Sequence, residues 1–94
     1  LDFSLEQNNP NPFNPATRIN YTLPVQSRIT LKIYNILGQV VKVLLDGEQD
    51  AGYRSVEWNA QNVASGIYFC RLDASGSQDP GRRFEKVNKM ILMK

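Results

Sequence analysis

The chain has 94 residues, 41% of them hydrophobic and 21% charged, and a formal net charge of +2. That length and composition fit one globular domain (1–94) with a modest core and exclude a disordered chain. Its eleven basic and nine acidic residues, scattered except for Arg82-Arg83, form no stripe for nucleic acid, and no apolar run nears the ~20 residues of a membrane-inserted helix.

Residues 1–16 form a proline-rich lead-in. Pro10, Pro12 and Pro15 each fix φ and withhold a backbone donor, and each pushes the asparagine before it (Asn9, Asn11, Asn14) into extended conformations. The spacing predicts a stiff, extended segment with Phe13 as its large apolar side chain. From Thr17 to Pro24 the pattern alternates at period two, with Ile19, Tyr21 and Leu23 on one face. Ile29, Leu31 and Ile33 then alternate with Thr30, Lys32 and Tyr34. Asn35-Ile36-Leu37-Gly38 is a tight turn in which Gly38 supplies positive φ.

The return strand, Val40 to Leu45, is expected to put Val41, Val43 and Leu45 inward and Val40 and Leu44 outward. Asp46 to Gly52 has the composition of a polar loop. Arg54 to Trp58 follows as a strand with Val56 and Trp58 on one face, and Asn59 to Ser65 as a second loop. Gly66 to Ala74 is a strand whose cleaner apolar face is Tyr68, Cys70 and Leu72, which leaves Ile67 and Phe69 outside. Ser75 to Gly81 is a loop, and a last strand runs from about Arg83 to Lys94. There Met90, Ile91, Leu92 and Met93 are apolar on both faces, bracketed by Lys89 and Lys94. Such a run completes the sheet and also offers an apolar terminus for strand addition to a partner. With the proline-led segment, the pattern gives about seven short strands and no helix, the signature of an all-β, immunoglobulin-like antiparallel sandwich. Gly66-Ile67-Tyr68-Phe69-Cys70 adds the local pattern of a tyrosine corner, whose hydroxyl should bond to backbone within Asn62 to Ser65.

Chemistry-bearing residues are sparse. There is no histidine, which removes His-ligated metals and His-based triads or dyads. Cys70 stands alone, so no intrachain disulfide forms, and its position between Tyr68 and Leu72 is that of a small buried hydrophobe. Asp46, Glu48 and Asp50 alternate in a way that can bind calcium, but they lack the glycine and closing glutamate of an EF-hand loop, and a solvated loop accounts for them. Trp58 with Tyr34 and Tyr53 offers a sugar-stacking platform if exposed, and core packing if its face is shared with Val56. No paired carboxylates or base-activated nucleophile point to an enzyme, and nothing calls for a cofactor or a metal.

Several motifs fall in a fixed order. They are Phe3-Ser4-Leu5-Glu6-Gln7-Asn8, Pro10-Asn11-Pro12-Phe13-Asn14-Pro15, Tyr21-Thr22-Leu23-Pro24, Leu37-Gly38-Gln39-Val40-Val41, Val56-Glu57-Trp58-Asn59, Ala64-Ser65-Gly66-Ile67-Tyr68-Phe69 and Lys89-Met90-Ile91-Leu92. In this order the chain resembles the C-terminal sorting domain of type IX secretion cargo from Bacteroidetes-like bacteria. It departs from the family pattern at Asn9 and Cys70. A weaker similarity extends to the immunoglobulin-like part of flagellar hook-capping proteins. The resemblance implies a secretion signal read as a folded module at the end of a longer protein. Its partners would be type IX translocon components and an upstream cargo domain. It would pass through the periplasm to the cell surface or the medium. An accessory carbohydrate-binding module and a structural spacer of a secreted hydrolase are the competing readings.

Overall fold

A computed structural model describes residues Leu1 to Lys94, folded into seven antiparallel strands in two sheets. The strands are β1 (Ser4–Leu5), β2 (Ala16–Leu23), β3 (Ser27–Tyr34), β4 (Val40–Gln49), β5 (Gly52–Asn59), β6 (Gly66–Gly76) and β7 (Arg83–Leu92). One sheet has the order β1-β2-β5 and the other β4-β3-β6-β7. Inward residues of both meet in one core: Ile19, Tyr21 and Leu23 from β2 face Ile29, Leu31 and Ile33 from β3 and Cys70 and Leu72 from β6. This is the expected immunoglobulin-like sandwich, and it measures 41 × 23 × 16 Å.

Three local expectations change. Asp46 to Gln49 continue β4 rather than forming a loop, and the connection to β5 narrows to Asp50 and Ala51. Backbone pairing on β3 overrides the turn-like composition there, because Thr30, Arg28 and Ser27 supply partners for Asp46, Glu48 and Gln49. Likewise β6 extends past Ala74 to Gly76, held by Ser27.

In β4, Leu31 pairs with Leu45 but Lys32 pairs with Val43, and Ile33 pairs with Lys42 but Tyr34 with Val40. Leu44 and Val41 are therefore the extra residues of two β-bulges, and each bulge shifts the alternation by one. Leu44 packs against the core and Val43 is exposed, the reverse of the simple alternation.

The lead-in also differs from its expectation. It is bent, not extended: the chain turns from Pro10 through Pro15, with the peptide bonds before Pro10, Pro12 and Pro15 all cis. The first strand of the sandwich is Ser4–Leu5, ahead of the prolines. The physical reason is burial. Phe13 is 2% exposed and inserts between the sheets, and a straight segment would leave it in water.

Candidate functional site

The lead-in and the terminal strand form one unit. Phe13 lies beside Leu92 in a parallel bridge, its N–H donating to Ile91 O at 2.9 Å while Met93 N–H donates back to Phe13 O at 3.0 Å. Asn11 Oδ1 accepts from Ile91 N at 2.9 Å, and Gln7 Nε2 donates to Lys89 O at 2.7 Å. Asn88 Nδ2 donates to Leu5 O and Glu6 O at 3.2 and 3.1 Å. The backbone edge of β7 from Lys89 to Met93 is thus already satisfied by the same chain. A partner strand could add there only by displacing residues 7–13.

A buried polar cluster anchors the bend. Asn8, 4% exposed, donates from Nδ2 to Thr17 Oγ1 at 3.0 Å and to Pro10 O at 3.1 Å. Thr17 Oγ1 donates to Pro10 O at 2.8 Å, and Gln7 Nε2 donates to Asn8 Oδ1 at 2.6 Å. Asn9 and Arg18 exchange both backbone bonds at 3.0 Å. Every group in this cluster has a partner, so the buried amide and hydroxyl are held rather than penalised. Sequence reasoning missed Asn8, Thr17 and Asn88; an Asn two residues before a proline is the signal that could have marked the first.

Trp58 is 4% exposed and belongs to the core. Its neighbours are the rings of Phe13 at 5.6 Å and Tyr68 at 5.5 Å, an aromatic triad within the core that also holds Leu31 and Ile33. No sugar can stack on it. Tyr68 Oη donates to Ala64 O at 2.6 Å, inside the expected corner. Gly66 has φ +152°, a conformation disfavoured for side-chain-bearing residues, and it opens β6 opposite Leu92. Lys94 Nζ donates to Gln61 O at 2.7 Å and to Val63 O, and its N–H donates to Ser65 Oγ at 3.0 Å. Lys94 is therefore a clasp on the 59–65 loop, whereas the Lys89 side chain is exposed. In β7, Met90 and Leu92 point into the core, Ile91 lies half-buried on the outer face, and Met93 is exposed beyond the strand end. The run is apolar on both faces, but its inner half is core.

At the neighbouring turn Asn35 Oδ1 accepts from Leu37 N at 2.9 Å and from Gln39 N at 3.0 Å. Gly38, at φ +79°, donates to Asn35 O at 3.0 Å. This leaves Ile36 and Leu37 at 70% and 77% exposure. Because Tyr34 pairs with Phe69 and Phe69 with Lys89, the turn, the 59–65 loop, Phe13 and the end of β7 all lie at one pole of the sandwich. The motifs Pro10 to Pro15, Leu37 to Val41, Ala64 to Phe69 and Lys89 to Leu92 meet there, whereas Phe3 and Tyr21 to Pro24 lie toward the other pole. Leu1 leaves at the opposite pole, where Phe3 stacks on Phe84 at 5.6 Å.

The remaining candidates fall elsewhere. Asp46 pairs with Arg28 at 3.5 Å and Glu48 accepts from Gln26 at 3.3 Å, so these carboxylates sit on a strand face rather than around a loop cavity. Burial pushes the Cys70 thiol up to about 12, which keeps it protonated and unreactive at neutral pH. Val40, Ile67 and Phe69 do share the outer face of the four-stranded sheet near the motif pole, without Leu44.

The chain is thus a single immunoglobulin-like sandwich with most of its ordered motifs at one pole. The family model described as "Secretion system C-terminal sorting domain" matches residues 9–83, and the chain belongs to that family, the sorting domains of type IX secretion. No curated protein matches the chain.

Proposed function

We propose that this domain is a non-catalytic sorting module that needs no cofactor and directs an upstream cargo across the outer membrane by type IX secretion. The cargo passes through the periplasm and ends at the cell surface or in the medium. Its partners are components of the type IX translocon. The observation that carries the reading is polar segregation. Pro10 to Pro15, Leu37-Gly38 and Ala64 to Phe69, together with the terminal Lys89 to Lys94, converge on one pole, and Leu1 leaves from the other. A cargo joined at Leu1 would hang clear of the surface to be read. Trp58 and Tyr68 serve that surface from beneath by fixing the loop that Lys94 clasps.

The test fuses residues 1–94 behind a fluorescent reporter carrying a periplasmic export signal, in a bacterium with type IX secretion. The fusion should reach the surface or medium. Leu37→Ser, at a solvent-exposed turn position, should leave the fusion in the periplasm with its melting temperature unchanged. A wild-type fusion that stays in the periplasm would sink the proposal.

A further inference from the structure

The outer face of the four-stranded sheet carries no carboxylate in the two rows nearest the motif pole. Two rows run across it nearest the motif pole: Val40, Tyr34, Phe69 and Lys89, then Val43, Lys32, Arg71 and Val87. They contain three cations and no carboxylate. The next row, Asp46, Thr30, Asp73 and Glu85, holds three acids, and the row beyond it, Glu48, Arg28, Ser75 and Arg83, mixes both signs. Arg71 reaches back to Asp73 at 2.8 Å and Glu85 at 3.2 Å, but Lys32 and Lys89 have no carboxylate partner. Arg71 and Phe69, the strand partners of these two lysines, line an open hollow of about 340 Å³ together with Tyr34, Ile36 and Val87 among others. The exposed Ile36 and Leu37 continue the apolar surface onto the turn.

Two facts select how this surface works. The β7 edge beside Lys89 to Met93 is occupied by residues 7–13, so strand addition is blocked where the terminal motif lies. The adjoining face holds a largely apolar hollow, with the unpaired Lys32 and Lys89 on the strand positions beside Arg71 and Phe69 that line it. We propose that this sheet face is the docking surface of the sorting module, and that its occupant is a protein segment carrying carboxylates among apolar side chains. Carboxylates would meet Lys32 and Lys89 while an apolar side chain fills the hollow over Phe69, giving orientation and register by charge complementarity. An anionic lipid surface fits less well, because it is recognised by clusters of about four to eight basic residues, and a flat headgroup layer does not enter a hollow. The inference rests on the sorting role and names which surface of the module performs it.

The test uses the reporter fusion described above. A photoreactive phenylalanine analogue replaces Phe69 in one fusion and, as a control, Tyr53, which is exposed on the other sheet. Irradiation in cells should give a discrete adduct to another protein from position 69 and none from 53. The adducted peptide, sequenced by mass spectrometry, should carry carboxylates beside apolar residues. Lys32→Glu with Lys89→Glu should remove the adduct and lower secretion by at least about ten-fold, since like charges across an interface are strongly penalised. Lys32→Arg with Lys89→Arg should restore both, and melting temperatures should stay level. Adducts to a second copy of the fusion or to lipid would overturn the proposal. So would a charge-reversed fusion secreted as well as wild type, which leaves the sorting role intact. A wild-type fusion held in the periplasm overturns both.

Discussion

Phe13→Ala tests whether the lead-in belongs to the fold. Phe13 is 2% exposed, its ring lies 5.6 Å from Trp58, and its backbone joins the β7 edge through both N–H and C=O. Removing a buried phenyl ring costs about 3–5 kcal/mol through lost transfer energy and the cavity left behind. The whole domain is worth roughly 5–14 kcal/mol at the usual value per residue, so the loss is a large fraction. At about 4 °C or more per kcal/mol for a domain of this size, the melting temperature should fall by at least about 12 °C. Trp58 is the only tryptophan and touches the mutated ring, so its emission in a urea titration reports both the unfolding and the local loosening. Hydrogen exchange adds the second readout: Ile91 and Met93 amides, bonded to Asn11 and Phe13, should lose protection while amides in the β3–β6 ladder keep more of theirs. A loss below about 1 kcal/mol, with Ile91 and Met93 as protected as before, would show the lead-in to be a detachable linker and refute the reasoning.

Four further outcomes follow from single contacts. Tyr68→Phe removes the bond to Ala64 O and should cost about 1 kcal/mol in urea unfolding, with chemical-shift changes confined to residues near position 68 and the Ala64 corner. Leu44→Ala should destabilise by about 1–3 kcal/mol while Val43→Ala stays within about 0.5, because the bulge puts Leu44 and not Val43 against the core. Lys94→Glu should lower the melting temperature by roughly a few degrees through loss of the Gln61 and Val63 contacts, and Lys89→Glu should not change it. The buried Cys70 thiol holds its proton to about 12, whereas the unfolded thiol loses it near 8.5. The unfolded state therefore binds fewer protons above that value, and stability falls with rising pH by up to about 1.4 kcal/mol per unit until the folded thiol also ionises. Cys70→Val should flatten that part of a pH series, and an unchanged slope would assign it to other groups.

Local sequence pattern is enough to define the architecture. Alternation in Ile19-Tyr21-Leu23, Ile29-Leu31-Ile33 and Tyr68-Cys70-Leu72 states which face of each strand is apolar, and these faces leave water by packing against one another in a single core. The tyrosine corner and the Gly38 turn were legible for the same reason, since they depend on residues close in the chain. Tertiary structure decided what depends on distant partners. Composition marked Asp46 to Gln49 as loop until β3 offered ladder bonds, and the register across the β3–β4 pair, not the local pattern, exchanged Val43 for Leu44. Prolines forbid a regular strand but do not say where the chain goes. Phe13 went to the core beside Trp58, and in going there residues 7–13 closed the β7 edge that the apolar terminus had seemed to offer. Charge segregation on the sheet face is likewise invisible along the chain, because Lys32 and Lys89 are far apart in sequence and become neighbours of Phe69 and Arg71 only through strand pairing.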